Sequence, residues 1–206
     1  MKKIVKGFHK FRNEVFEKKK ALFSKLSSHQ SPTALFITCS DSRVDPTLLT
    51  QTDPGELFIL RNAGNIVPPY GSMLGSSTAT IEYAMAVLQV PHIIVCGHTD
   101  CAVMKALLQP ETVKELPAVH AWIAQGETTR RIMQEHHTNC TGDDRLLIAT
   151  QENVRAQIDN LRTHPSVALQ LRRGKVELHG WVYSISSGDV WVYDAGTEHF
   201  HPLSDE

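Results

Sequence analysis

The chain has 206 residues and a mass of 23.0 kDa, which is the size of one α/β domain. Lysine plus arginine (21) nearly balances aspartate plus glutamate (22), and this composition excludes a strongly basic nucleic-acid-binding protein. No apolar run approaches the roughly 18–20 residues that a membrane span needs. No export signal is evident ahead of the four cysteines, so we expect a reducing, cytoplasmic location in which clustered cysteines bind metal or react.

The first segment carries apolar residues at every third or fourth position, which predicts an amphipathic helix from Ile4 to Leu26. The run Lys18–Lys20 lies within it and is interpreted as a solvated face, with a phosphate-binding patch as the less favoured alternative.

Three short runs that follow are apolar on both faces, as are strands of a parallel sheet covered by helices. They are Ala34–Cys39, Leu57–Leu60 and Ile93–Gly97. Between the second and third runs we predict a helix from Ser77 to Val87, capped by Ser76 or Ser77. Further amphipathic helices are predicted over residues 118–135 and 143–161.

The C-terminal segments Val176–Tyr183 and Val190–Tyr193 flank a Ser-Ser-Gly-Asp turn, which predicts a hairpin. Strand–helix alternation followed by a hairpin predicts an α/β fold. We expect a central, mostly parallel sheet flanked by helices, with an antiparallel edge strand and an N-terminal helical arm. Because no repeat or linker interrupts the pattern, we predict one domain over residues 1–206, with residues 1–30 as the arm.

Two of the predicted strands end in side chains that can ligate a metal. The first ends at Cys39, and the third is followed by His98 and, three residues later, by Cys101. The carboxyl ends of neighbouring parallel strands meet at the same edge of a sheet, so these residues can come together. Two thiolates and one imidazole suit Zn²⁺, and three protein ligands leave a fourth position open, as in catalytic zinc sites.

The other cysteines favour different interpretations. Cys96 lies inside a predicted strand and is interpreted as a small buried residue. His137 and Cys140 repeat the spacing of His98 and Cys101, but no strand leads into them. A structural zinc site that uses Cys140 as a fourth ligand remains the alternative.

Asp41 follows Cys39 by two residues, so its carboxylate can reach the metal or a water on it. Arg43 would keep Asp41 ionised and fix its direction. An ordinary loop ion pair is the alternative, and the neighbouring ligand pattern favours the functional interpretation.

The segments Cys39-Ser-Asp-Ser-Arg43 and Gly97-His98-x-x-Cys101 together resemble the two signatures of the β-class carbonic anhydrases. The loop Pro68-Pro-Tyr70 is similar to that of the plant-like and bacterial cyanate-operon-like branch, which keeps an open zinc. Further segments carry the resemblance from Phe8 to Phe200: Pro54–Phe58, Arg61–Asn65, Ile81–Tyr83 and Leu178–Tyr183.

The resemblance implies zinc-dependent, reversible hydration of CO₂ to bicarbonate and a proton, by attack of zinc-bound hydroxide on CO₂. Cys39, His98 and Cys101 would bind one zinc ion per chain. Asp41 and Arg43 would form the catalytic dyad that orients the hydroxide.

The resemblance also implies a set of substrate-binding residues. Gln30 would donate a hydrogen bond to bicarbonate, and the backbone N–H of Ala102 would contact the substrate. Phe58, Ala63 and Tyr83 would line the CO₂ pocket, with Tyr83 supplied by the partner subunit. Ala102-Val103 stands where the family usually has Gly-Gly, so we expect side chains to crowd the pocket at this point.

The implied partners are CO₂ or bicarbonate and a second copy of the chain, with neither nucleic acid nor membrane. The family's unit is a homodimer whose N-terminal helices embrace the other subunit, and dimers can pair into larger oligomers. Alternatives are a carbon disulfide or carbonyl sulfide hydrolase on the same scaffold and a non-catalytic zinc-binding protein. A redox protein is disfavoured because Cys39 and Cys101 do not form a Cys-x-x-Cys pair.

Some bacterial members bind a regulatory bicarbonate with a Trp, Arg and Tyr set, which corresponds here to Phe36, Arg61 and Tyr183. Phe36 has no N–H to donate, so we expect no bicarbonate there. We therefore predict an open zinc site with Asp41 paired to Arg43.

Overall fold

The computed structural model describes residues 1–204, which fall into two compact units that divide after Ser31. The first unit consists of α1 (Lys2–Lys10), a π-helical segment (Phe11–Phe16) and α2 (Lys20–Leu26). The predicted N-terminal helix is therefore confirmed, with a break at Lys19. None of the residues in these three segments is buried.

The second unit, from Pro32 onward, contains one six-stranded sheet with the order β2-β1-β3-β4-β5-β6. The first four strands are parallel, and β5 and β6 are antiparallel additions at one edge. The strands are β1 (Ala34–Cys39), β2 (Leu57–Asn62), β3 (His92–His98), β4 (Glu177–Tyr183), β5 (Val190–Asp194) and β6 (His199–Pro202).

The structure confirms the predicted mostly parallel sheet but adds a second antiparallel strand. β6 has the sequence His-Phe-His-Pro, which is short and polar and ends in a proline. Such a segment has little strand character of its own and suits only the edge of a sheet. It forms a strand because it pairs with β5, from Trp191 with Pro202 to Asp194 with His199.

Helices cover the sheet, and none of them in the described part of the chain is both long and apolar enough to cross a membrane. The helices of the second unit are α3 (Pro46–Thr50), α4 (Ser76–Tyr83), α5 (Ala102–Leu108), α6 (Pro117–Ile123), α7 (Glu127–Glu135), α8 (Gly142–Thr163) and α9 (Pro165–Arg172). A π-helical segment (Ala84–Leu88) continues α4, and short 3₁₀ turns occur at Ala63–Asn65, Pro110–Val113 and Ala124–Gly126.

Two details of the predicted helices were wrong. The helix predicted over residues 118–135 is divided into α6 and α7 by the 3₁₀ turn at Ala124–Gly126. At Gly126 an added Cβ would lie 2.2 Å from Leu107 Cδ1, so this turn packs directly against α5. The predicted serine cap of α4 is also absent, since Gly75 is the N-cap and Ser76 is already helical.

The long helix α8 packs against β3 and β4 close to the carboxyl end of the sheet. An added Cβ at Gly97 would lie 2.8 Å from Thr150 Cγ2, and one at Gly180 would lie 2.8 Å from Val154 Cγ1. These two glycines therefore let the helix approach the strands closely. Because Gly97 directly precedes His98, this packing fixes the end of β3 from which His98 projects.

Candidate metal centre

Cys39, His98 and Cys101 meet at the carboxyl edge of the parallel sheet. Cys39 is the last residue of β1, His98 is the last residue of the adjacent β3, and Cys101 is the N-cap of α5. All three side chains are buried, and their ligand atoms lie within 4.8 Å of one another. The donor set of two sulfurs and one imidazole nitrogen is one that binds zinc.

The hydrogen bonds of His98 prepare its ring for metal binding. Its Nδ1 lies 2.9 Å from the carbonyl oxygen of Thr99. Because a carbonyl only accepts, Nδ1 carries the proton and Nε2 presents a lone pair. Nε2 is buried and has no hydrogen-bond partner among the described residues, which is unusual for a buried polar atom. A metal ion between the three side chains would satisfy it, so these residues fit zinc.

The two thiols share a hydrogen bond that separates their proton affinities. The pKa of Cys39 is lowered well below its usual value, chiefly because Cys101 donates a hydrogen bond to it, and burial opposes this shift. The same hydrogen bond and burial raise the pKa of Cys101. Burial of His98 disfavours its charged form, but the Cys39 thiolate outweighs this effect and raises its pKa. The pocket thus already stabilises one thiolate, and metal binding requires the loss of the second proton.

We expect zinc-free protein to hold the Cys39 thiolate at neutral pH, because the pKa of this thiol is lowered below its usual value. The thiolate absorbance of wild type minus that of Cys39→Ser should already be present at neutral pH and should fall on acidification. A difference spectrum that instead develops only at alkaline pH would show that the pocket does not stabilise this thiolate.

Gly64 supports Cys39 from the turn after β2. Its backbone N–H donates to Cys39 Sγ at 3.3 Å, and its φ of +77° lies in the left-handed region. An added Cβ would lie 2.6 Å from Val103 Cγ1, so a side chain at this position collides as well as strains the backbone. Only glycine fits here without displacing the donor to Cys39.

We expect Gly64→Ala to reduce the free energy of unfolding by about 2–5 kcal/mol, as the sum of backbone strain and overpacking. Gly174→Ala is the matched control, because Gly174 also has a positive φ (+62°) but open space around it. It should cost only the strain, about 1–2 kcal/mol in chemical denaturation. Equal losses of unfolding free energy in the two variants would show that the contact with Val103 adds nothing to the backbone strain.

Asp41 faces the metal group while it is held by Arg43. Arg43 donates from Nε to Asp41 Oδ1 at 3.0 Å and from Nη2 to Oδ2 at 2.8 Å. These hydrogen bonds hold the pKa of Asp41 well below its usual value, so the carboxylate is ionised at neutral pH. Its Oδ2 lies 3.9 Å from His98 Nε2. The predicted pairing of Asp41 with Arg43 is therefore confirmed.

Asp100 is a residue of this site that the sequence interpretation missed. Its Oδ2 accepts a hydrogen bond from Arg43 Nη1 at 2.9 Å, and its carboxylate also pairs with Lys105. It adopts a left-handed conformation (φ +58°) between two metal-group residues, His98 and Cys101. The sequence signal was its place inside the His-x-x-Cys loop, where a carboxylate can fix the guanidinium that orients Asp41.

Arg61 holds the backbone of the loop that carries Cys39 and Asp41. Its Nε donates to the carbonyl of Cys39 at 3.1 Å, and its Nη2 donates to the carbonyl of Asp41 at 2.8 Å. Phe36 is fully buried, with its ring edge-on to Trp181 at 6.0 Å between centroids. The guanidinium expected in a regulatory bicarbonate pocket is thus occupied by main-chain carbonyls in this structure.

Ala63 lines a cavity of about 310 Å³ together with Asn62, Pro68, Met73 and Trp122. Its carbonyl accepts a hydrogen bond from Trp122 Nε1 at 2.7 Å. Because Ala63 directly precedes Gly64, this cavity lies beside the turn that contacts Cys39. Trp122, like Asp100, is a residue near the metal group that the sequence interpretation did not identify.

The Ala102-Val103 pair lies at the start of α5. Ala102 is exposed, while Val103 is half-buried and contacts the buried cluster that contains Cys39 and Cys101. The side chain of Val103 packs against Gly64 and in this way contacts the cluster.

Phe58 and Tyr83 contact each other, with ring centroids 6.0 Å apart, but they do not lie at the metal end of β2. Phe58 pairs with Leu35, four residues before Cys39 on β1, which corresponds to about 13 Å along the strand. Tyr83 is 46% exposed. Gln30 belongs to the N-terminal unit. The substrate-binding roles of these three residues remain predictions.

The two remaining cysteines lie outside the metal group. Cys96 is buried in β3, as expected, and burial raises its pKa to about 12. Cys140 is half-buried and belongs to neither of the metal-capable groups found among the described residues.

The chain is similar to carbonic anhydrases in both sequence and structure. The family model described as "Carbonic anhydrase" matches residues 34–190. A carbonic anhydrase from Pseudomonas aeruginosa is 46% identical over 205 residues, covering 100% of this chain and 93% of that protein. The solved β-carbonic anhydrase CcaA has a TM-score of 0.97 and 44% identity, over 98% of this chain and 99% of its own.

A tetrameric β-carbonic anhydrase from Sordaria macrospora is 30% identical with a TM-score of 0.82, over 92% of this chain and 94% of that chain. The family model covers most of the chain, and the residues that it matches include the cysteine–histidine–cysteine group at the edge of the sheet. The chain belongs to the carbonic anhydrase family, and its fold is that of the β class.

Proposed function

We propose that this protein catalyses the reversible hydration of CO₂ to bicarbonate and a proton, with zinc held by Cys39, His98 and Cys101. The observation that carries the proposal is the buried three-ligand group with an ionised carboxylate, Asp41, 3.9 Å from His98 Nε2. This arrangement combines a zinc site of three protein ligands with a hydrogen-bond acceptor directed at it.

Bound zinc supplies a Lewis acid that lowers the pKa of water in its open position. Asp41 is ionised and therefore accepts hydrogen bonds without donating any. It accepts a hydrogen bond from the attacking oxygen and so orients that oxygen, which leaves a lone pair free to attack the carbon of CO₂. Arg43 fixes both oxygens of Asp41, and Asp100 in turn fixes Arg43.

The substrate side of the site draws on apolar residues. The cavity lined by Ala63 and Trp122 offers CO₂ an apolar wall next to the Gly64 turn. The backbone N–H of Ala102 at the start of α5 is a donor for a bicarbonate oxygen. Gln30 supplies a further donor in this proposal.

We also propose that the chain acts as a homodimer or larger homo-oligomer, with Phe58 and Tyr83 serving the partner's site. Phe58 lies about 13 Å along the sheet from the metal end and Tyr83 contacts it, which supports a role for this pair across an interface rather than within one chain. The second unit also exposes large apolar side chains, among them Leu48, Ile59 and Val87. The N-terminal residues 1–30 act as the dimerisation arm, and their exposed apolar side chains include Ile4, Val5 and Phe8.

Stopped-flow measurement of proton release tests the function directly. Protein with one zinc per chain should hydrate CO₂ far above the uncatalysed rate, and protein stripped by a chelator should not. Carbon disulfide and carbonyl sulfide are offered as competing substrates, because hydrolases of these compounds would use the same ligands. Turnover of either compound without CO₂ hydration would overturn the proposed reaction.

A further inference from the structure

A second group of metal-capable side chains lies at the opposite end of the sheet. Among the described residues, His92, Glu177 and His179 form the other set of three whose ligand atoms all lie within 4.8 Å of one another. His92 is the first residue of β3, six residues before His98. At the usual rise of a strand this separation is about 20 Å, so the second group is distinct from the metal centre described above.

The parallel register of β3 and β4 creates the second group. His92 pairs with Glu177, and Ile94 pairs with His179. Because side chains alternate between the two faces of a sheet, Glu177 and His179 project from the same face as each other. His92 is paired with Glu177 and shares its face, so the register places all three side chains on one face of the sheet.

The distances between the ligand atoms match those of a shared ion. His92 Nδ1 lies 3.1 Å from His179 Nε2. Two nitrogens each about 2.0–2.1 Å from one ion are about 2.8–3.4 Å apart for angles between octahedral and tetrahedral values. Glu177 Oε2 lies 3.9 Å from both nitrogens, and its side chain is 74% exposed. The carboxylate can thus move the remaining distance by a change of rotamer.

The electrostatics of the group suit a cation. A neutral imidazole offers one ring nitrogen with a lone pair, which is the form in which histidine binds a metal ion. Glu177 contributes one negative charge. Two imidazoles and one carboxylate are a ligand set that divalent transition metals prefer, and this set leaves further positions for water.

We propose that His92, Glu177 and His179 form a second metal site, which binds a divalent transition-metal ion such as Zn²⁺ across β3 and β4. The ion joins the amino ends of the two strands and replaces the hydrogen bond between the imidazoles, and the proton of that hydrogen bond moves to the other nitrogen of its own ring. This site uses none of the residues that hold the first zinc, so its occupancy is independent of CO₂ hydration.

Calorimetric titration with Zn²⁺ of protein that already carries one zinc ion per chain tests the site. Wild type should bind a second equivalent, and His92→Gln and Glu177→Gln should each weaken its binding by about tenfold or more. His120→Gln, which removes an exposed histidine of α6, is the matched control and should bind like wild type. Retention of the first equivalent in every variant shows that each one folds.

Thermal unfolding gives a second readout, because a ligand that binds only the folded state raises its melting temperature. Excess Zn²⁺ should raise the Tm of wild type and of His120→Gln by similar amounts, and that of Glu177→Gln by a smaller amount at the same Zn²⁺ concentration. Failure of wild type to bind a second ion would overturn the proposal. Unchanged binding in both His92→Gln and Glu177→Gln would do the same, because it would place the ion elsewhere.

Discussion

Cys101→Ser should abolish zinc binding and lower the rate of CO₂ hydration by about three orders of magnitude or more. Cys101 is 1% exposed and lies at the N-cap of α5, so no other described thiol can take its place. Serine preserves the shape of the side chain, but its hydroxyl is a far poorer zinc ligand than the thiolate it replaces. Metal analysis after dialysis and stopped-flow hydration measure the two effects.

Cys140→Ser is the control for this variant, because it makes the same chemical change outside the metal group. We expect it to retain one zinc per chain and wild-type turnover. Loss of zinc from Cys140→Ser would contradict the three-ligand site and favour a structural site that includes Cys140.

Asp41→Asn should retain zinc but lower CO₂ hydration by at least about a hundredfold. Asparagine keeps the shape of the side chain, yet its amide donates hydrogen bonds and cannot pair as an anion with Arg43. The attacking oxygen would then meet a donor where the native carboxylate accepts. Because Asp41 is not a zinc ligand in this account, the zinc content should not change.

The matched control is Asp159→Asn, which makes the same substitution on the exposed surface of α8. It should leave both zinc content and turnover unchanged. Near wild-type turnover in Asp41→Asn would remove this carboxylate from the mechanism, whereas loss of zinc would make it a metal ligand.

The metal group could be predicted from the sequence because Cys39 and His98 lie at the ends of strands. Ala34–Cys39 is an almost wholly apolar run, interrupted only by Thr38, so its boundaries follow from composition, and the structure reproduces them. His98 follows a second run of the same kind. Adjacent parallel strands then bring their last residues together without any detail of side-chain packing.

The supporting contacts could not be predicted from sequence because they depend on the tertiary arrangement of loops. Asp100 reaches Arg43 from 57 residues away, and Arg61 reaches the carbonyl of Asp41 from the adjacent strand. The break between α6 and α7 likewise reflects packing of Gly126 against Leu107, which outweighs the helical pattern. The polar strand β6 exists only through its pairing with β5.

Crystallography of zinc-loaded protein near neutral pH, with data collected at the zinc absorption edge, would locate the metal ion and its ligands. We expect an anomalous peak bounded by Cys39 Sγ, His98 Nε2 and Cys101 Sγ, with Asp41 still hydrogen-bonded to Arg43. An anomalous map with no peak between these three atoms would contradict the site. An oxygen of Asp41 about 2.0–2.2 Å from the zinc would contradict the open fourth position.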